Sequence, residues 1–300
     1  MKLEYLTMCS LCESEDIAPV DSDLNIFKCN HCGYIFDNPR PTFDEIKSFY
    51  SNEGKYGALI RKMWLKEEKA RDILWQRRLV KLKKLKENGA LLDIGAGIGQ
   101  FLQLAKNDFE VLGTEISKIA IAIAKAKYDL NLIEGRIEDI DFGHRRFDVI
   151  TLFHVLEHVP DPSSLLKRCY DLLSKDGVLI IATPNEIDSF RRTIIRLLSV
   201  LPVSRFRKYG KFGLPKLELA KSLNEIHLSH FTLSTLRWLI KKSNFIVVED
   251  TLDPYYVATG IKKIVDDLLY LIFLVIKKIS KVNLYDTIWI VAKRSARYHC

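Results

Sequence analysis

The chain has 300 residues, 48% of them hydrophobic and 28% charged, with a formal net charge of +8. That composition excludes a disordered or collagen-like chain, and the length admits one large α/β domain with small additions. The start MKLEYLTMCSLC lacks the apolar core of a signal peptide, and the longest apolar run, Leu268–Ile276, falls short of the roughly 18 residues a bilayer crossing needs. The expectation is a cytoplasmic protein that does not span a membrane.

Residues 1–45 read as a small module of short strands and turns. It carries Cys9-x-x-Cys12 and Cys29-x-x-Cys32, two pairs able to give four thiolates to one tetrahedral Zn²⁺. In a cytosolic chain this spacing favours metal over disulfides; two disulfides or free thiols are the alternative. Gly33 suits the tight turn behind the second pair, and His31 inside that knuckle is expected to be exposed. Four sulfurs close the site, so a structural role is expected. Cys169 and Cys300 receive none.

Residues 46–88 read as a helical connector. Within Arg61–Asn88 lie 11 basic and 4 acidic residues, with Trp64, Leu65, Ile73, Leu74, Leu79, Leu82 and Leu85 at roughly helical spacing. The expected element is an amphipathic helix packed on a sheet with its basic face in solvent. No interleaved aromatic platform accompanies the charge, and no nucleic-acid partner is expected.

From residue 89 to the end the chain reads as one main domain with insertions at about 187–221 and 253–284. Short apolar runs at Ala90–Ile94, Glu110–Ile116, Leu130–Ile133, Phe147–Phe153 and Val178–Ala182 alternate with helical patterns at Gln100–Asn107, Ser117–Tyr128 and Pro162–Ser174. Such alternation predicts βαβ units around a buried parallel sheet. Further strands are expected at Phe245–Asp250 and Thr287–Ala292.

The first strand runs into Asp93-Ile94-Gly95-Ala96-Gly97-Ile98-Gly99. Glycines let a ligand approach the backbone closely. A dinucleotide fingerprint would place its third glycine at position 100, where Gln100 stands. Asp93, just before the loop, suits an ammonium group better than a pyrophosphate. Glu115 closes the second strand, where a carboxylate can accept from both ribose hydroxyls. Glu138 or Asp139, after the third strand, could accept from an adenine amino group. Each of these acids also has an ordinary surface reading.

Taken together, DIGAGIG, Glu115, Ile137-Glu138-Asp139 and the run HVLEHVPDP from His154 resemble the class I S-adenosylmethionine-dependent methyltransferases. The front of the chain resembles the zinc-bearing start of bacterial and archaeal members that often serve glycan or sugar-nucleotide pathways. It does so through the two cysteine pairs, Asn38-Pro39-Arg40-Pro41-Thr42, Phe49-Tyr50 and Tyr56. The resemblance covers most of residues 9–250. It implies a Rossmann-like, doubly wound, mostly parallel seven-stranded sheet. It also implies that Asp93, Gly95, Ala96, Gly97 and Gly99 border the methionine part of the cofactor, with Glu115 and Ile116 at the ribose. Glu138 and Asp139 would flank the adenine, and Phe153 and His154 would lie near the cofactor at the end of the fourth strand.

The acceptor is expected beyond the carboxyl ends of the strands, near Asn185 and the segment Asn224–Thr232. Its HLSHFT run resembles the His-Glu-His-Leu segment of sugar C-methyltransferases, where the second histidine acts as a base. His227 matches that histidine, and Ile226 stands where those enzymes carry glutamate. His227, then His154, are the expected proton acceptors; the alternative is that His227 and His230 only cap and pack the following helix. Ile187–Lys221 holds nine basic and two acidic residues, and Ile261–Ile279 is apolar between lysines. Peripheral membrane contact through 187–221 and 261–279 is one reading, and a lid, a dimer surface or extra core is the other. The expected activity is methyl transfer from S-adenosylmethionine to a small-molecule acceptor: a sugar nucleotide, a glycan or a lipid-linked precursor. A nucleic-acid or protein methyltransferase would show Asn-Pro-Pro-Tyr where Phe153–Leu156 stands; a binding module without catalysis is the third possibility.

Overall fold

The computed structural model describes residues 2–21, 25–51, 57, 65, 67–199, 214, 227–254 and 260–295. Tyr56, Trp64, most of the 187–221 insertion and Asn224–Ile226 lie outside the described residues. The chain begins with five short strands: β1 (Leu3–Glu4), β2 (Ile17–Asp21), β3 (Ile26–Cys29), β4 (Ile35–Asp37) and β5 (Arg40–Pro41). Helices α1 (Phe43–Tyr50) and α2 (Glu68–Lys83) follow. The main alternation is β6 (Gly89–Ile94), α3 (Gln100–Ala105), β7 (Phe109–Glu115), α4 (Lys118–Tyr128), β8 (Ile133–Glu134), β9 (Phe147–Phe153), α5 (Pro162–Leu172) and β10 (Leu173–Pro184). It ends with α6 (Phe190–Ser199), β11 (Ser229–His230), α7 (Leu233–Lys242), β12 (Phe245–Thr251), α8 (Gly260–Ser280) and β13 (Thr287–Arg294).

Seven of these strands form one sheet in the order β12-β13-β10-β9-β6-β7-β8. Strands β10, β9, β6, β7 and β8 run parallel, and β13 is antiparallel to both of its neighbours. The chain winds outward from β6 to β8, then crosses back to β9 and continues the other way. Its strand order therefore reverses between β6 and β9, where open α/β sheets bind their ligands. The mostly parallel seven-stranded sheet that the resemblance implies is the one observed. Central strands are apolar on both faces because helices cover both: Val149, Ile150, Leu152, Leu179, Ile180 and Ile181 are all fully buried.

Two local readings change. The strand expected at Leu130–Ile133 is only Ile133–Glu134; Leu130 and Leu132 are buried as loop residues packed with Ala124 and Phe109. Helix α2 does not keep its whole basic face in solvent. Arg71 and Arg78 lie two turns apart on the face of Leu74 and Leu82, and all four are buried.

The cysteine-bearing front folds onto the main domain. Its four-stranded sheet, order β11-β4-β3-β2, takes an edge strand from residues 229–230, nearly two hundred residues downstream in sequence. The Tyr34 and Ser229 hydroxyls are hydrogen-bonded to each other. Arg40 donates to the Pro160 carbonyl at 2.9 Å and Lys242 to the Leu11 carbonyl at 2.5 Å. Cys9, Leu11, Tyr34 and Phe36 share one hydrophobic core with β9, α5 and α7. Helix starts are fixed by local caps: Asp161 accepts from the Ser164 amide ahead of Pro162, and Thr232 and Thr235 cap each other reciprocally at α7.

Candidate active site

A cavity of about 220 Å³ opens at the switch point between β6 and β9. Its floor is the loop after β6. Gly95 has φ +70° there, and a Cβ on it would stand 2.6 Å from Val155 Cγ2, so the turn tolerates only glycine. The Gly95 and Ala96 amides both donate to the Thr114 carbonyl, which fastens the loop to the end of β7. The Gly97 amide donates to Glu115 Oε2 at 2.8 Å, while Oε1 accepts from the Ile116 and Ser117 amides. Burial raises the Glu115 carboxyl above its ordinary range, and these three amides oppose that rise. Asp93, at the tip of β6, accepts from the Thr151 hydroxyl at 2.6 Å. Burial pushes its carboxyl up to about 7, against the Thr151 hydrogen bond and the charge of Arg78.

Asp93, Gly95, Ala96, Gly97, Glu115, Ile116, Glu138, Phe153 and His154 all line this cavity. Gly99 instead caps α3 in the left-handed conformation, behind the loop against Leu130 and Ala124. Asp139 lies in a turn on Arg136 outside the cavity wall. Tyr50 of α1 lines the opposite side, and Arg136, paired with Glu138 at 3.4 Å, rests over the Phe43 ring.

His154 has φ +58°, an uncommon backbone state for a non-glycine residue, and its amide N–H donates a hydrogen bond to the Ala182 carbonyl. Its Nε2 lies 3.0 Å from Arg78 Nη2 and its Nδ1 3.2 Å from Glu157 Oε1. A guanidinium only donates, so Nε2 is the acceptor and Nδ1 carries the proton. Both nitrogens are thus engaged, and His154 ties Arg78 to Glu157. Arg78 is fully buried, paired with Asp253 through both of its facing nitrogens, and its guanidinium lies 4.6 Å from the Phe153 ring centre.

Behind the cavity wall lies a group of acids and imidazoles. His158 lines the cavity; its ring meets Tyr50 on one side and the His227 ring, 4.8 Å away edge to face, on the other. His227 does not itself line the cavity; its Nδ1 lies 3.1 Å from Glu186 Oε1. Burial alone would raise Glu157, but the hydrogen bond from His154 and the nearby imidazoles of His158 and His227 bring it down to about 2. Glu186 is likewise held well below the ordinary carboxylate range: burial opposes this, and His227 and His230 outweigh it. His230 sits between Glu186 (2.8 Å) and Asp37 (3.0 Å), so both of its nitrogens donate and the ring is an imidazolium. Glu157, His158 and His227 bring ligand-type atoms within 4.8 Å of one another, close enough to hold one cation.

Sequence reading left His158, Glu157, Glu186, Arg78 and Asp253 without roles. The acid–histidine pair directly after the fourth strand was the signal for the first two. Arg78 meets Asp253 across 175 residues of chain, and no local pattern announces that contact.

At the front, Cys9, Cys12, Cys29 and Cys32 converge. Cys9 Sγ lies 3.6 Å from Cys32 Sγ and Cys12 Sγ 3.5 Å from Cys29 Sγ. These spacings are far beyond a disulfide bond of about 2.05 Å. They approach the roughly 3.8 Å edge of a tetrahedron with 2.3 Å metal–sulfur arms. The donor set and its spacing fit one Zn²⁺.

A methyltransferase-domain family model matches residues 66–250. Among curated proteins, the ubiquinone biosynthesis O-methyltransferase of Coxiella burnetii is 37% identical over 102 residues, 32% of this chain and 43% of that protein. Its namesake from Haemophilus ducreyi is 31% identical over 138 residues, 40% of this chain and 58% of that protein. The matches thus span about half of those relatives. Among solved structures, magnesium protoporphyrin IX methyltransferase from Synechocystis with bound SAH is 12% identical, with a TM-score of 0.51 over 85% of this chain and all of that one. A chain from the complex of the Haloferax volcanii Trm112 methyltransferase activator with a methyltransferase gives 0.51 at 14% identity, covering 80% and 98%. At these identities the likeness is one of fold. With the family model covering more than half of its length, the chain belongs to the methyltransferase-domain family, on the fold of S-adenosylmethionine-dependent methyltransferases.

Proposed function

We propose that this protein transfers the methyl group of S-adenosylmethionine to a small-molecule acceptor of the sugar-nucleotide, glycan or lipid-linked class. The observation that carries this reading is the cavity at the switch point, where Asp93, Glu115 and Glu138 face one space with the His154 and His158 rings at its edge. Asp93 would hold the ammonium of the methionine part, Glu115 the ribose diol and Glu138 the adenine amino group, between the apolar walls of Ile116, Ile137 and Phe153. Bound there, S-adenosylmethionine supplies a methyl group on a good leaving group. The protein's own task is then to align the acceptor and take its proton. His158 faces the cavity, and His227 and Glu186 behind it would carry the charge onward. The curated relatives, named for ubiquinone biosynthesis, support a small-molecule acceptor. In the cytoplasm, where thiols stay reduced, the four cysteines would hold Zn²⁺ in a structural role.

The test supplies the purified protein with methyl-labelled S-adenosylmethionine and host extract, then separates lipid, aqueous small-molecule and macromolecular fractions. Label in either small-molecule fraction is expected, and label in the lipid fraction selects a lipid-linked acceptor. His158→Ala and His227→Ala should slow labelling by about 100-fold or more while cofactor affinity stays unchanged. Label confined to protein or nucleic acid contradicts the small-molecule reading. Cofactor binding without any transfer would instead identify a binding module.

A further inference from the structure

Helix α8 turns its most continuous aliphatic side outward. Across its 21 residues the side turned toward the molecule is mixed: Lys263, Asp266, Asp267, Tyr270 and Lys277 lie there beside Phe273, Leu274 and Ile276. Asp267 accepts from Arg77 of α2 at 2.7 Å and from Lys263 at 2.5 Å; Lys277 is buried and paired with Asp250 of β12; the Tyr270 hydroxyl donates to the Leu252 carbonyl at 3.4 Å. The opposite side carries Ile261, Ile264, Val265, Leu268, Leu269, Leu271, Ile272, Val275 and Ile279, all exposed, from 42% to 81%. Helix α6 lies alongside through the Phe190–Phe273 ring contact at 5.9 Å, and adds exposed Phe190, Ile194 and Leu197. A soluble surface rarely leaves so many contiguous aliphatic side chains in water.

We infer that the outer face of α8, with α6 beside it, docks on the surface of an anionic phospholipid bilayer. Charge complementarity selects this occupant. Lys262 stands at one end of the aliphatic row and Lys278 and Lys281 at the other, all exposed. With the aliphatic row in the acyl boundary, those ammonium groups reach the headgroup level. The row itself is aliphatic throughout, whereas protein interfaces favour aromatic side chains and arginine at their centres. Pairing α8 with a second copy in antiparallel fashion would set Lys262 against Lys278. No helix among the described residues is long and apolar enough to cross a membrane, so the contact lies in the plane of the surface.

This inference stands on the geometry of α6 and α8 and not on methyl transfer. Its test is sedimentation of the full-length protein with vesicles of phosphatidylcholine alone or with phosphatidylglycerol added, at low and high salt. Binding to the anionic vesicles at low salt is expected, with Lys262→Glu/Lys278→Glu weakening it about tenfold or more. Leu268→Asp/Ile272→Asp should abolish sedimentation while the melting temperature and S-adenosylmethionine affinity stay at wild-type values. Failure to bind anionic vesicles at low salt overturns the inference. A stable dimer in light scattering that the Leu268→Asp/Ile272→Asp variant breaks into monomers overturns it too, and assigns the face to a second copy.

Discussion

Helices α2 and α8 touch through Arg77 and Asp267, and each turns charge toward the body of the protein, yet their outer faces are opposites. Helix α2 buries Arg71 and Arg78 with Leu74 and Leu82, and exposes Lys69, Gln76 and a single aliphatic, Val80. Helix α8 keeps Asp267 and Lys277 inside and exposes nine aliphatics. Burial follows counter-charges as well as hydrophobicity: Arg78 finds Asp253, and Lys277 finds Asp250. An unpaired buried charge is costly, so a helix carrying one side of a pair is oriented by where the other side stands. The outer face of α2 is satisfied by water, and that of α8 is not.

The largest effect should come from breaking the pair that orients α2. Arg78→Met leaves Asp253 buried without its partner and should destabilise the fold by about 3–5 kcal/mol in urea melts. Adding Asp253→Leu should recover much of that loss; a single variant as stable as wild type would show that the pair does not hold the helix. Leu74→Ala, at a position 1% exposed, should cost about 2–5 kcal/mol in the same melts.

A third buried charge extends the contrast to pH. Burial works against a proton on His230, but its bonds to Asp37 and Glu186 outweigh that and raise its pKa from 6.5 to about 9. A raised histidine stabilises the fold fully below its unfolded pKa and loses that contribution as pH climbs through the folded value. Stability should therefore fall between about pH 6.5 and 9, by about 3 kcal/mol, and His230→Gln should flatten that slope. An unchanged slope in the variant would remove His230 as its cause. The smallest effect belongs to α8: Leu268→Ala, at a position 57% exposed, should change stability by less than about 0.5 kcal/mol. A cost near that of Leu74→Ala would show that the outer face is covered in solution.

The same pair of helices shows what the sequence made legible. Strand–helix alternation and the Asp93–Gly99 loop are local patterns, and the sheet and the cavity floor follow them closely. The apolar row of α8 was visible as a pattern, but a pattern does not say which face packs inward. Likewise the buried position of Arg78 depends on Asp253, and the position of His227 on Glu186 and His158, contacts made only after folding. The edge strand that β11 gives to the cysteine module pairs residues 229–230 with 35–36, beyond any local signal.

The most direct test of the cavity is calorimetric titration of the full-length protein with S-adenosylmethionine, beside Glu115→Gln checked for an unchanged melting curve. One-to-one binding in the wild type, weakened about tenfold or more in the variant, is expected if the end of β7 holds the ribose. No binding heat in the wild type, or equal affinity in both proteins, would contradict the placement of the cofactor between β6 and β9.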